Sequence, residues 1–234
     1  MRIAIMQPYI FPYVGYFQLM RAVERFICLD DVAFITRGWI NRNRLLSNGR
    51  PGWFTVPLVK ASQNRDIDAT LVHQAVYAGW REKFFRRLEA NYGRAPYYIE
   101  GRQLAEAVFT SQSGGISEMA FRSLSLVCGL CGINTEIVPH SRPLGHRECK
   151  GSDRLLALCH DAGADCYINA PGGRALYAPN YFARHGVRLL FLDPCLRPYA
   201  QGTGLFQPGL SILDTIMHCG PEGAAALCRE YDLE

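Results

Sequence analysis

Asp30 and Asp31 close a short apolar run, and Arg37-Gly38-Trp39-Ile40-Asn41-Arg42-Asn43-Arg44 follows them closely. Paired carboxylates at a strand end can hold a divalent cation or accept a proton. Arginines supply planar, permanent donors for phosphate or carboxylate, and an indole face can stack on a sugar or a base. Asp30, Asp31 and Asn41 are therefore candidates for the chemical step. Arg37, Trp39, Arg42 and Arg44 are candidates for binding substrate. The same residues also make an ordinary solvated, charged loop, in which isolated ion pairs count for little.

Three further segments bring unusual residues together. In Gln7-Pro8-Tyr9-Ile10-Phe11-Pro12-Tyr13-Val14-Gly15-Tyr16-Phe17-Gln18, prolines and a glycine fix the backbone while aromatics surround two amides. Gln7, Tyr9, Tyr16 and Gln18 can form a ligand platform there, or the segment is a proline-shaped loop packed by rings. In Lys150-Gly151-Ser152-Asp153-Arg154, Ser152 can cap a helix whose start Lys150 and Arg154 share with an anion. The alternative is a capped amphipathic helix with a surface lysine. Asn169-Ala170-Pro171-Gly172-Gly173, with Tyr177 beyond it, is a glycine turn after a strand, where backbone N–H groups can cradle an anion. Gln201 adds one more amide.

Cysteine and histidine make weaker candidates. Cys159 and His160 are adjacent, so on a helix they point about 100° apart and do not face each other. Cys159 shares an apolar face with Leu155 and Leu156 and reads as core. Cys128 and Cys131 form a CxxC with no second pair and no well-spaced histidine, whereas structural zinc needs four ligands, so no metal is assigned. His140 and His146 sit in a polar loop and read as solvated.

Elements must carry these groups. Arg2–Met6 and Arg25–Leu29 alternate as strands around a helix over Gly15–Val23, the opening of a parallel α/β sheet. Trp53–Leu58 reads as another strand. From about residue 78 to 132 the period is helical, which predicts a helical insertion or lid on the sheet. Asn134–Val138, Asp165–Asn169 and Val187–Leu192 resume the strand pattern, with a helix from Ser152 to Ala162. Short helices near Ser211–Met217 and Glu222–Glu230 close the chain. The expectation is one α/β domain over residues 1–234, with a Rossmann-like, mostly parallel sheet. Ligands of open parallel sheets sit at the carboxyl ends of the strands, and the amide-and-proline segment and the glycine turn both follow strands.

Composition narrows the function classes. The chain has 234 residues, 49% of them hydrophobic, and a net charge of +4 with no basic tail. A nucleic-acid footprint would be denser. No apolar run is long enough to span a bilayer, and the first residues lack a signal-peptide pattern. Nine scattered cysteines, an odd number, suit small core residues in a reducing compartment. A cytoplasmic protein is expected.

Taken in order, these segments resemble the WbqC-like protein family. They include Phe54-Thr55-Val56-Pro57-Leu58 with Lys60-Ala61-Ser62-Gln63-Asn64, and Tyr199-Ala200-Gln201 with Phe206-Gln207-Pro208-Gly209-Leu210-Ser211-Ile212-Leu213-Asp214. The resemblance covers nearly the whole chain. It implies a place in gene clusters for O-antigen and related surface polysaccharides, beside enzymes that make or acylate amino sugars. The opening strand also distantly resembles nucleotidylyltransferases, but Gly15-Tyr16 stands where those carry Gly-His, and the histidine for a leaving phosphate is missing.

Three functions follow as expectations. The first is acyl or aminoacyl transfer to an activated amino sugar, with a nucleotide-linked or lipid-linked sugar as substrate and an acyl-carrier donor. The second is nucleotidyl or glycosyl transfer, with a metal on Asp30–Asp31. The third is a non-catalytic binding factor. No cofactor is indicated, and the oligomeric state is open.

Overall fold

Alternation along Arg2–Met6 places the layers of the molecule. This strand, β1, sends Ile3 and Ile5 to one buried cluster and Ala4 to another. In β2 (Arg25–Cys28), Ile27 joins the first cluster while Phe26 and Cys28 join the second. A strand buried on both faces needs cover on both, which is the condition for a parallel sheet. The computed structural model describes residues 1–111, 114–202 and 204–234.

The elements run β1, α1 (Val14–Arg21), β2, β3 (Arg42–Ser47), β4 (Arg50–Thr55), α2 (Gln74–Tyr92), α3 (Tyr98–Phe109), α4 (Ile116–Leu130) and β5 (Glu136–Val138). They continue with α5 (Ser152–Asp161), β6 (Cys166–Asn169), α6 (Pro179–Arg184), β7 (Arg188–Pro194), α7 (Ile212–Leu227) and β8 (Tyr231–Leu233). The main sheet has the order β5-β2-β1-β6-β7-β8. All its pairings are parallel except β7 with β8. The protein is thus α/β with a mostly parallel sheet, as the strand–helix rhythm predicts.

One core lies under α5 and α6, where Leu155, Leu158, Cys159 and Phe182 meet Ile3, Ile5 and Tyr167. The larger core gathers α1, α4 and α7 on the other face. From β1 the chain turns to β2 and β5 on one side, then returns to β6 and β7 on the other. The carboxyl ends of β1 and β6 therefore flank a topological switch point, where open sheets form a crevice.

Several expected elements shift. Arg42–Arg44, read as loop, begins β3 of an antiparallel hairpin. Its turn is Asn48-Gly49, with φ of 52° and 72°, the left-handed pair that matches strand twist in a tight hairpin. The strand expected at Trp53–Leu58 lies earlier, because pairing with β3 sets its ends. Ser152 does not cap α5: it is the first helical residue, Gly151 holds the cap position, and no side chain bonds there. The two closing helices are present as expected, meeting at a break within α7 where Gly220 takes φ 73° and Pro221 has no N–H to donate. The antiparallel β8 was not anticipated. The stretch 78–132 holds α3, α4 and most of α2, and includes residues 112 and 113, which lie outside the described residues.

Candidate functional site

A cleft of about 680 Å³ opens at the switch point. Its floor and walls come from Met6 at the end of β1 with Gln7 and Tyr9 beyond it, Tyr16 of α1, Trp39, Asn43 and Arg44 at the hairpin, and Asn169 at the end of β6 with Gly172, Gly173 and Tyr177 beyond it. Nine of the residues singled out from the sequence meet here: Gln7, Tyr9, Tyr16, Trp39, Arg44, Asn169, Gly172, Gly173 and Tyr177.

The loop after β1 is held against strain. Phe11, a bulky residue, takes φ 43°, which costs free energy unless surrounding bonds fix it. Those bonds are present. Ser123 Oγ accepts from Phe11 N at 3.1 Å, and Ser211 Oγ and Asn43 Nδ2 both donate to the Phe11 carbonyl. Asn43 also donates to Ile10 O, and Ile10 N donates to Ile40 O. The Tyr16 hydroxyl donates to Gln7 O at 2.9 Å, and the Tyr9 ring stands edge-on to Tyr16 at 5.1 Å. This network sets the backbone on which Gln7 and Tyr9 face the cleft.

Among the described lining residues Arg44 is the sole cation and there is no carboxylate. One terminal nitrogen donates to Gly209 O at 3.1 Å, the guanidinium lies 5.5 Å from the Trp39 ring, and Nε is buried with no partner among the described residues. On the opposite wall, Asn169 Oδ1 accepts from Ala170 N. Its Nδ2 lies so close to Gly173 that a Cβ there would come within 2.6 Å. That nitrogen has no hydrogen-bond acceptor among the described residues, so it is free for a ligand. Burial pushes the Tyr9, Tyr13, Tyr16, Tyr167 and Tyr177 phenols above their ordinary range. They stay protonated at neutral pH and act as donors and stacking faces rather than bases. The described lining contains no imidazole, amine, thiol or aliphatic hydroxyl.

The remaining candidates lie elsewhere. Asp30 and Asp31 are buried in a knot of their own. Asp30 accepts from Ser117 Oγ and Ser141 N and meets His140 Nδ1 at 2.7 Å. Arg154 donates to both oxygens of Asp31 at 2.7 Å, and Ser141 Oγ donates to one of them. Burial raises the Asp31 carboxyl, but the bonds from Ser141 and Arg154 and the charges of Arg154 and Arg147 outweigh it and hold the group below its usual range. With their oxygens so engaged, the two carboxylates are poor metal ligands. Among the described residues no His, Cys, Asp and Glu cluster of three or more has the arrangement to bind a metal.

Gln18 is a buried strut, donating to Cys195 O and Leu227 O and accepting from Cys195 N. Gln201 belongs to a buried network on Asp214. Asn41 donates to Val56 O within the hairpin. Arg42 braces Arg37 O and Gly38 O and lies 4.1 Å over Trp53. Arg37 and Lys150 are exposed, and Ser152 is half-buried on α5, all outside the cleft lining. Cys159 is buried core, its thiol pushed up to about 12 by burial.

Sequence reasoning missed Asn43, Tyr13 and Gly209 of the lining and His140 of the carboxylate knot. Asn48-Gly49 was the available signal for Asn43, because a hairpin there puts Asn43 and Leu45 on the inner face.

The fold and cleft define an α/β protein with a mostly parallel open sheet and a cleft at the carboxyl edge of its strands. A family model, the WbqC-like protein family, matches residues 7–226, and the chain belongs to that family. It is also similar to "Uncharacterized protein Rv1507c" of Mycobacterium tuberculosis (strain ATCC 25618 / H37Rv), at 32% identity over 235 residues, covering 98% of this chain and 99% of that protein. No solved structure matches the chain. Among the described residues no helix is long and apolar enough to cross a membrane.

Proposed function

We propose that this protein is a transferase of surface-polysaccharide assembly that joins an acyl or aminoacyl group to an activated amino sugar held in the cleft. The observation that carries this reading is the convergence of Gln7, Arg44 and Asn169 on one aromatic-walled crevice. Sugar rings stack on aromatic faces, and a site of this volume suits a ligand of drug or nucleotide size. Arg44, free of any carboxylate, takes the phosphate that links the sugar to its nucleotide or lipid. In this reading Asn169 Nδ2 and the Gln7 amide donate to the oxyanion.

The chemistry fits this lining. An amine attacks the carbonyl of a carrier-bound thioester, the tetrahedral oxyanion collapses, and the thiolate leaves with the amine's proton. That sequence depends on orientation and oxyanion donors more than on a strong base. Asp30 and Asp31 are then structural, and metal-dependent nucleotidyl transfer on them is disfavoured by Arg154 occupying Asp31. A second reading, a non-catalytic binding factor, is favoured by the absence of an acid–base side chain or nucleophile among the described lining residues.

Incubating the protein with carrier-bound acyl donors and nucleotide-linked amino sugars, with mass spectrometry of the products, separates the two. Amide product is expected. Asn169→Ala should lower kcat by about 10²-fold, the loss typical of one oxyanion donor. Arg44→Gln should raise KM by about tenfold, an interaction difference of about 1.4 kcal/mol. Tight sugar binding without product across the panel would support the binding factor, and no binding at all would sink both readings.

A further inference from the structure

Val32–Arg65 contains six cations and no aspartate or glutamate. Among the described residues none of the six has a carboxylate within 4.0 Å. The nearby Arg142 and Arg147 are, by contrast, tied to Asp66. Three large apolar side chains of the same stretch stand in solvent: Ile35 at 49%, Trp39 at 44% and Trp53 at 42% exposure.

Contacts join these groups into one surface. The Trp39 and Trp53 rings are 5.0 Å apart, and the Arg42 guanidinium lies 4.1 Å from the Trp53 ring while bracing the Arg37 carbonyl. Phe34 N donates to Arg65 O, which brings Arg65 beside Ile35. Ile35 and Trp39 also line the cleft, so the patch is its rim.

We propose that this rim docks the protein on an anionic lipid surface, with the mouth of the cleft turned to the headgroups. Indoles favour the boundary between water and hydrocarbon, and arginines are drawn to anionic headgroups. A protein partner is commonly fixed in register by charges of both signs. A stretch with cations and no carboxylate sets no register and suits a laterally uniform negative surface. Such docking places the cleft where a lipid-linked substrate presents its sugar, yet it does not depend on the reaction proposed above and is read without substrate.

The test uses the full chain with vesicles of phosphatidylcholine alone or of equal parts phosphatidylcholine and phosphatidylglycerol. Co-sedimentation is followed together with tryptophan fluorescence. Binding and a blue shift are expected with the anionic vesicles alone, and both should fade as salt is raised. Trp53→Ser should weaken partitioning at least about tenfold (about 1.4 kcal/mol). The double variant Arg37→Asn with Arg65→Gln should do the same and retains both tryptophans if Trp53→Ser misfolds. Arg229→Gln, far along the chain and exposed, should bind as the parent does. No binding to anionic vesicles, equal binding to neutral ones, or equal loss in Arg229→Gln would overturn the proposal. Retention on polyglutamate without vesicle binding would also overturn it and assign the rim to an acidic protein.

Discussion

A carboxylate's neighbours decide whether it can do chemistry. Asp31 lies under Arg154 with both oxygens taken, so its charge is spent on joining α5 to the end of β2. Removing one partner of such a buried pair leaves the other uncompensated, and Asp31→Asn should destabilise the fold by about 3–5 kcal/mol at neutral pH. The pH dependence follows from the depressed carboxyl. Its stabilisation is fully present above the ordinary carboxylate range and is lost as pH falls through that range toward the depressed folded value. Chemical denaturation of the parent should therefore weaken between about pH 5 and about pH 3 by more than that of Asp31→Asn. Equal stability of the two proteins at neutral pH would show that the pair contributes nothing.

Among elements, one phenol joins three. The Tyr92 hydroxyl, at the end of α2, accepts from Leu46 N of β3 at 2.7 Å and donates to Asp214 of α7 at 2.9 Å. Burial raises the Asp214 carboxyl above its usual range, while Tyr199 and Gln201 also donate to it. This buried junction stands behind the hairpin that carries Arg44. Tyr92→Phe leaves a backbone N–H and a carboxylate oxygen short of a partner, and should cost about 1–3 kcal/mol in urea unfolding. Tyr97→Phe, at an exposed ring, should fall within about 0.5 kcal/mol of the parent. A Tyr92→Phe protein as stable as the Tyr97→Phe control would remove the junction from the account.

For the whole molecule, thiol reactivity reports on the two cores. Six cysteines are buried and three, Cys149, Cys195 and Cys219, are half-buried. Burial pushes the Cys28, Cys128 and Cys159 thiols up, which keeps them protonated and unreactive. A thiol-titrating reagent should find two fast groups in the native protein, Cys149 and Cys195, a slower Cys219 whose thiol burial pushes up to about 11, and all nine after denaturation. More than three fast groups at native pH would mean that one of the two cores opens.

Strand β1, helix α1 and strand β2 were legible because alternation and helical period are local properties of the chain. The glycine turn after β6 was legible for the same reason, and so was the gathering of Gln7, Tyr9 and Asn169 at one edge, since residues at the ends of parallel strands must lie there. Which charges face that edge was not local. Arg42 and Arg44 share one face of the hairpin, yet Arg44 reaches the cleft, where Gly209 O accepts from it, while Arg42 is held over Trp53 by the Arg37 and Gly38 carbonyls. Asp30 and Asp31 were drawn away by Ser141 and Arg154, more than 100 residues distant. The sequence by itself determined a parallel sheet, its family and the edge that holds the cleft. Tertiary structure alone divided the polar residues between struts and site, because a buried charge takes whichever partner the fold brings to it.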